Sequence, residues 1–399
     1  MTPRAPVYVR KVRAFPAAGR PRREPLLPRF DMELTERCDN DCIHCCINRP
    51  AGDAAAKAAE LSTAEVKRLL AEGAALGALT VRFTGGEPLL RDDFREIYLA
   101  ARRLGLKVIL FTNARGITPA LVDLFARVPP LETIEVSVYG MHRRSYEAVS
   151  RRPGSFREFR RGVRLLLDRG IPFVVKGAVL PPNRGERREF ERWALTIPGM
   201  DKRPPAYSLF FDPRHRRDNP AKERAIRRLR LPPREGAAWQ AEGGPEYFDE
   251  MNRFGSKFLG PPGAGLFRCG MGRRVCIDAY GKAQGCLPLR APEMAFDLRQ
   301  GSLKEAVTRF FPLRAAAAAR NPAYLERCAR CFLKSLCEQC PAQSFLENGT
   351  FDTPVEYLCD VAHAQAAGIG LIAEGEKAWT IGNWRERIRR VRLTARRGR

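Results

Sequence analysis

Between residues 29 and 211 the chain alternates between two hydrophobic patterns. Short, near-continuous apolar runs recur: RFDMELT (29–35), LTVRFT (79–84), LKVILFT (106–112), TIEVSVY (133–139), PFVVKGAVL (172–180) and AYSLFF (206–211). Runs of this length, rich in Val, Ile, Leu and Phe, predict strands buried on both faces. Between them, apolar residues recur at helical spacing. Ser62 and Glu65 form a capping-box pattern ahead of Val66, Leu69 and Leu70. Asp92 is placed to cap a helix with the stripe Phe94, Ile97, Tyr98, Ala101 and Leu104, stopped by Gly105. Thr118 and Pro119 read as an N-cap and first helical residue. Ser155 and Glu158 repeat the capping box before Phe159, Val163, Leu166 and Leu167, and Gly170 closes that helix. Six strands alternating with helices predict a parallel α/β sheet, open or curled into part of a barrel.

The pattern divides the chain. Residues 1–29 are rich in Pro and Arg and predict a basic, extended arm; residues 30–211 carry the strand–helix repeat. Residues 212–265, with RLRLPPREG and GPPGAG, read as a linker holding one helix over 220–230. Residues 266–365 hold eight cysteines among short strands and turns, with VCIDAYGKAQGCL as a hairpin turning at Gly281. The alanine run at 315–319 predicts helix, and residues 366–399 predict one Ala/Gly-rich helix followed by a basic tail.

A chain of 399 residues can build one large domain and a smaller one. No apolar run approaches the roughly 20 residues a membrane helix needs, and the N-terminus lacks the apolar segment of a signal peptide. The expected location is cytoplasmic, where thiols stay reduced, so twelve cysteines point to metal before disulfides. Net charge is +25, from 70 Lys and Arg against 45 Asp and Glu. The arginines are spread along the whole chain, as compositional bias would spread them. No aromatic-interleaved basic module speaks for a nucleic acid.

The candidate chemistry begins at CDNDCIHCC (38–46), just after the first strand. Ligands bind at that edge of α/β folds. Cys38, Cys42 and Cys45 are regularly spaced, while Cys46 has no place in the pattern. A 4Fe–4S cluster normally takes four thiolates, so three leave one iron open to a chelating ligand. Directly after the second strand comes FTGGEPLL (83–90). Gly85 and Gly86 would let the backbone approach a ligand closely, Glu87 can accept from an ammonium group, and Pro88 stiffens the exit.

Together the two motifs resemble the signature of the radical SAM enzymes, a likeness covering about 180 residues. The resemblance implies a partial (β/α)6 TIM-like barrel. It makes Cys38, Cys42 and Cys45 the ligands of a 4Fe–4S cluster whose open iron binds S-adenosylmethionine (SAM). It makes Gly85, Gly86, Glu87 and Pro88 the motif that holds the methionyl amine. His44 would shield the cluster. Later strand ends offer Thr112, Asn113, Ser137, Tyr139, Gly140 and Lys176, with Asn113, Ser137 and Lys176 as candidate SAM contacts. The electron would come from a flavodoxin- or ferredoxin-type reductant.

The C-terminal cysteines are Cys269, Cys276 and Cys286, then Cys328, Cys331, Cys337, Cys340 and Cys359. The second group reads C-x2-C-x5-C-x2-C, then a last cysteine. A zinc ribbon would need a longer arm between its pairs, roughly 15–20 residues. Two four-thiolate clusters use all eight with none left over. The segment resembles the SPASM domain, a small cysteine-rich α+β extension of one radical SAM subfamily, departing from it by one residue in the last short spacer. Carried over, that resemblance implies two auxiliary 4Fe–4S clusters. The first would be held by Cys269, Cys276, Cys286 and Cys340, the second by Cys328, Cys331, Cys337 and Cys359.

SPASM enzymes mostly modify peptides or proteins. The expected function is therefore a radical SAM maturase that crosslinks, oxidises or decarboxylates a peptide or protein side chain. The alternative is action on a small molecule such as a tetrapyrrole side chain. The sulfatase maturases carry an Asp where this chain has Leu287, which argues against formylglycine chemistry. About 30 residues precede the first strand, too few for a leader-binding winged helix, so a separate recognition protein, or none, is expected. A pure electron carrier would account for the eight C-terminal cysteines but not for the three-cysteine loop or GGEP.

Overall fold

The computed structural model describes residues 27–200, 205–242 and 260–397, except 335, 338 and 339. The expected N-terminal arm lies almost wholly outside the described residues, as do 243–259 of the expected linker and the last two residues of the tail.

All six expected strands form and pair in chain order: β1 Arg29–Thr35, β2 Thr80–Gly85, β3 Lys107–Thr112, β4 Leu131–Val138, β5 Val174–Ala178 and β6 Ala206–Ser208. Every pair is parallel, with Phe30 opposite Val81 and Val136 opposite Val175. Between them run α1 Ala54–Ala59, α2 Thr63–Ala75, α3 Phe94–Arg103, α4 Pro119–Arg127, α5 Arg143–Ser150, α6 Ser155–Asp168 and α7 Arg187–Ala194. The result is a mixed α/β fold of the partial-barrel type.

The strands are not apolar on both faces. Phe30, Met32, Leu34, Val81, Phe83, Val108, Leu110, Ile134, Val136 and Val175 pack under the helices with Leu69, Ile97, Tyr98, Phe125 and Phe159. The alternate residues turn to the other face, and most of them are polar, with Ile109 and Phe111 among the exceptions. Asp31 pairs with Arg82 and Glu135 with Lys176. Arg82 and Lys176 each lie 4.9 Å from the ring of Phe111.

The sheet does not stop at β1. The expected hairpin forms as β7 Cys276–Ile277 and β8 Lys282–Gln284, turning at Gly281 with φ +85, and β9 Ala295–Asp297 follows. β7 pairs parallel with β1, so nine strands form one sheet. Val275 and Ile277 share the barrel core.

Local expectations fared unevenly. The Ser62–Glu65 capping box and the Thr118 cap form. The cap residue of α3 is Asp93, not Asp92; Asp92 pairs with Lys57 on the surface. α6 starts from Gly154 in a left-handed conformation, not from a Ser155 cap. Ser155 is instead buried against Ser150, 2.7 Å between hydroxyls, and Glu158 pairs with Arg115. The alanine run leaves the helix at Ala315; Ala318 bridges Gly265 and the Ala319 amide donates to Ala264 O. Residues 212–242 hold two helices, α8 Pro220–Leu229 and α9 Pro233–Ala241. Beyond them come α10 Pro341–Asn348, α11 Glu356–Gly368 and α12 Trp384–Arg397. The Ala-rich helix is thus α11, which contains Cys359, and a further helix stands where a tail was expected. Among the described residues no helix is long and apolar enough to cross a membrane.

Candidate functional site

The cysteine loop and the GGEP turn meet at the C-terminal edge of β1 and β2. The Gly86 amide donates to Thr35 O at 2.7 Å, and the Glu87 amide to Arg37 O at 2.9 Å. Gly85 has φ +128, and a Cβ there would run into Thr35 O. A Cβ on Gly86 would lie 2.5 Å from Glu36 O and closer still to Arg37 O. The glycines thus permit a close approach to the root of the cysteine loop itself.

Glu87 is 1% exposed. Its Oε1 accepts from Thr112 Oγ1 at 2.9 Å and from Leu89 N at 3.1 Å, and its Oε2 accepts from Asn113 N at 2.7 Å. Burial and the nearby Asp39 charge push this carboxyl up to about 7 against those bonds. A carboxylate offers about four acceptor sites, so one stays available. Asn113 Nδ2 donates to Asp39 Oδ1 at 2.7 Å, and its contact with Cys38 Sγ is 4.0 Å.

Cys38 and Cys42 are buried. Burial, then Cys42, Glu87, Cys45 and Asp39, push the Cys38 thiol well up. Burial and Cys45 do the same to Cys42, partly offset by a hydrogen bond from Tyr139. Thiolates crowded with like charge need a cation among them, so this donor set fits an iron–sulfur cluster. Among the described residues no three Cys, His, Asp or Glu side chains close on a single ion. Thiolates on separate irons of a cube stand farther apart than that. No thiol is in a disulfide.

His44 packs its ring against Tyr139 and Phe211, with centroids 5.7 and 5.1 Å away. Burial and Lys222 pull it down to about 4, so it is neutral. Cys46 is half-buried, and its carbonyl accepts from His215 N at 2.9 Å. Ser137 stands on the polar face of the sheet beside Lys176, whose ammonium is engaged by Glu135.

Three basic residues that the sequence did not single out hold the loop. Arg115 donates to Asp39 O at 2.6 Å and to Asn40 Oδ1 at 2.7 Å. Lys222 bridges Asp41 and Asn48 at 2.9 and 2.8 Å. Arg214 reaches Asn48 O at 3.3 Å while paired with Asp218. Only the count of basic residues hinted at them. Another unforeseen feature is the fully buried pair Glu33–Arg290, which ties β1 to the segment after β8. Burial outweighs the arginine and holds Glu33 at about 7.

Of the C-terminal thiols, Cys328, Cys331, Cys337 and Cys359 line one cavity with Tyr324, Arg327, His363 and Trp379. Cys286 and Cys340 pack into an apolar cluster with Leu266, Phe267 and Met271, and Cys269 acts electrostatically on both. Cys276 lies in β7, opposite Asp31.

The Radical SAM superfamily model matches residues 32–194, from β1 through α7, and so takes in both the cysteine loop and the GGEP turn. Residues 32–194 are a radical SAM domain. The chain is 31% identical over 179 residues to an AdoMet-dependent heme synthase of Methanosarcina barkeri, covering 45% of this chain and 49% of that one. It is 32% identical over 174 residues to a PqqA peptide cyclase of Rhizobium meliloti, covering 43% and 45%. The chain thus spans about half the length of the curated relatives it matches. The fold likeness runs beyond the radical SAM domain. SuiB of Streptococcus suis, solved bound to precursor peptide SuiA, superposes with a TM-score of 0.58 at 13% identity, over 84% of this chain and 76% of that one. anSMEcpe with bound AdoMet gives 0.57 at 14% identity, over 93% and 100%.

Proposed function

We propose that this chain is a radical SAM enzyme that modifies a peptide or protein side chain. The observation that carries the reading is the meeting of a three-thiol loop and a GGE turn inside a matched radical SAM domain. A reduced 4Fe–4S cluster with SAM bound supplies a 5′-deoxyadenosyl radical able to abstract hydrogen. The protein's part is to hold and orient. Cys38, Cys42 and Cys45 would ligate the cluster, Arg115 and Lys222 fix the loop that carries them, and His44 and Tyr139 keep water from it. Glu87 anchors the end of β3 and keeps an acceptor site for the methionyl ammonium. Asn113, Ser137 and Lys176 would meet the rest of SAM along the strand ends. Two auxiliary 4Fe–4S clusters would serve as electron routes. The four thiols lining one cavity support the second of them. The reductant would be of the flavodoxin or ferredoxin type.

A peptide substrate is supported by the PqqA peptide cyclase relatives. A second reading, action on a tetrapyrrole or other small molecule, is favoured by the similarity to heme synthases. The two separate experimentally. With dithionite, reconstituted protein should convert SAM to methionine and 5′-deoxyadenosine. Co-expression with each short reading frame beside the gene should then change the mass of one peptide. If none changes, while a small metabolite drives 5′-deoxyadenosine release, the peptide reading is wrong.

A further inference from the structure

The cavity lined by Cys328, Cys331, Cys337 and Cys359 is not chemically even. Two polar side chains converge on Cys359. Arg327 Nη2 lies 3.9 Å from Cys359 Sγ, and His363 Nδ1 lies 3.6 Å from the same atom. The histidine's role is fixed by its other nitrogen. Ala378 N donates to His363 Nε2 at 3.2 Å, so that nitrogen carries no proton and Nδ1 does. The Nδ1 proton is shared between Cys359 O, 2.8 Å away, and Cys359 Sγ. Arg327 is held by two further partners. Glu356 takes Nη1 and Nη2 at 2.7 and 2.8 Å, and the Trp379 ring lies 4.8 Å from the guanidinium. The same ring packs edge-on to His363, with centroids 5.4 Å apart. Arg327 Nε is buried and makes no hydrogen bond. A buried donor is costly unless something accepts from it, and the sulfides and thiolates of a cluster in the cavity are acceptors of that kind.

Resting on the auxiliary-cluster reading above, we propose that Arg327 and His363 hydrogen-bond the second auxiliary cluster at its Cys359 corner and set its reduction potential. Hydrogen bonds to sulfur and local charge both tune such potentials. Reduction adds one negative charge to the cluster, and a donor or cation beside it stabilises the reduced form. Arg327 and His363 therefore raise the potential. Glu356 works against them, because its charge offsets that of Arg327. The two partners of this ion pair thus carry opposite signs of effect. Neither is a ligand; both act through Cys359.

The test uses the full chain with Cys38→Ala/Cys42→Ala/Cys45→Ala, which leaves only the auxiliary centres to be titrated. After anaerobic reconstitution, adding Cys328→Ala should remove about four irons and one reduced-state EPR signal, which identifies the cluster in this cavity. Potentiometric titration of that signal then reads the side chains. Arg327→Gln and His363→Phe should each make the potential more negative, Arg327→Gln by about tenfold in the reduction equilibrium, or ~59 mV for one electron. Glu356→Gln should make it more positive. Arg327→Lys should keep part of the wild-type value, since the charge stays and the fork is lost. A merely structural role would give shifts of one sign, or loss of iron, from both members of the ion pair. Shifts of the same sign from Arg327→Gln and Glu356→Gln, or no shift from either, would overturn the proposal. If Arg327→Gln does not load iron, the change at exposed Glu356 decides alone, and a potential unchanged or lowered there overturns it. If Cys328→Ala costs no iron, the auxiliary-cluster reading itself falls, and the proposal with it.

Discussion

Replacing Gly86 by Ala tests whether the GGE glycines serve the chain's own backbone. The added Cβ would lie 2.5 Å from Glu36 O and nearer still to Arg37 O, where ordinary contact begins at 3.4 Å. Both obstacles are backbone, so no side chain can swing aside. The end of β2 and the root of the cysteine loop would have to part by about 1 Å, an overpacking change of the kind that costs roughly 1–3 kcal/mol. The Glu87 N to Arg37 O hydrogen bond would go with it, about 1 kcal/mol more. The expected loss is therefore roughly 2–4 kcal/mol, several degrees of melting temperature in a domain of this size. Because Cys38 directly follows Arg37, iron at the SAM-binding site should fall too. Gly52→Ala is the matched control, in the same loop region with nothing within 4 Å of its added Cβ. Melting curves and iron counts on both variants decide the matter. If Gly86→Ala melts and loads iron like Gly52→Ala, the backbone argument is wrong. If it does so and still fails to bind SAM, the glycine serves the ligand after all.

Glu87→Gln keeps the side chain's shape but turns an NH2 toward the Asn113 amide, two donors face to face. SAM binding, measured by calorimetry on reconstituted protein, should weaken by roughly 10- to 100-fold, matching the 1.5–3 kcal/mol of a charge-assisted bond; unchanged affinity would refute the role given to Glu87. The same carboxyl sits near 7 in the fold against an ordinary 4.5. Its stabilising effect is therefore full below about pH 4.5 and lost as pH rises through 7, roughly 3 kcal/mol in all. Wild-type stability before cluster loading should fall between pH 5 and 8 more steeply than that of Glu87→Gln. Arg115→Met leaves the Asp39 carbonyl and the Asn40 side chain without their donor. It should cost about 1–3 kcal/mol and deplete iron from the SAM-binding site, and Arg115→Lys should rescue little because one ammonium cannot replace the fork.

Much of the barrel was legible because its signal is local. Each strand is a compact apolar run, and each motif follows a strand within a few residues. The cysteine spacing and the GGE turn are legible for the same reason. What escaped depends on contacts far apart in sequence. Nothing within VCIDAYGKAQGCL announces that its first strand pairs with residues 31 and 32, and a thiol's neighbours cannot be counted until that pairing is known. The polar face was partly visible, since RFDMELT alternates Asp31 and Glu33 with Phe30, Met32 and Leu34. Apolar density hid the period. Ser155 looked like a cap because its spacing to Glu158 fits one; the partners Ser150 and Arg115 that claim both side chains lie in other elements.

The segment whose composition suggests a linker accounts for part of the basic charge. Residues 214–230 act as a strap. Arg216 joins Glu36 beside the cysteine loop to Asp278 of the hairpin, at 2.8 and 2.7 Å. Arg217 donates to the carbonyls of Phe345 and Leu346 at the end of α10, and Arg227 and Arg230 both pair with Glu347. The first part of the C-terminal region shares the barrel core through Val275, Ile277, Ala283, Leu298, Leu303, Val307 and Phe311, while the cysteine-bearing remainder packs into apolar clusters of its own. Directed bonds add to that shared core and reach the clusters outside it. A guanidinium suits that task because it can satisfy a carboxylate and a carbonyl at once, which an ammonium does less well. Part of the excess basic charge is thus spent inside the molecule, fixing the cysteine loop and the C-terminal thiols relative to one another. An anionic substrate is not needed to explain those arginines. Any electrostatic pull on a substrate must come from basic residues outside this strap.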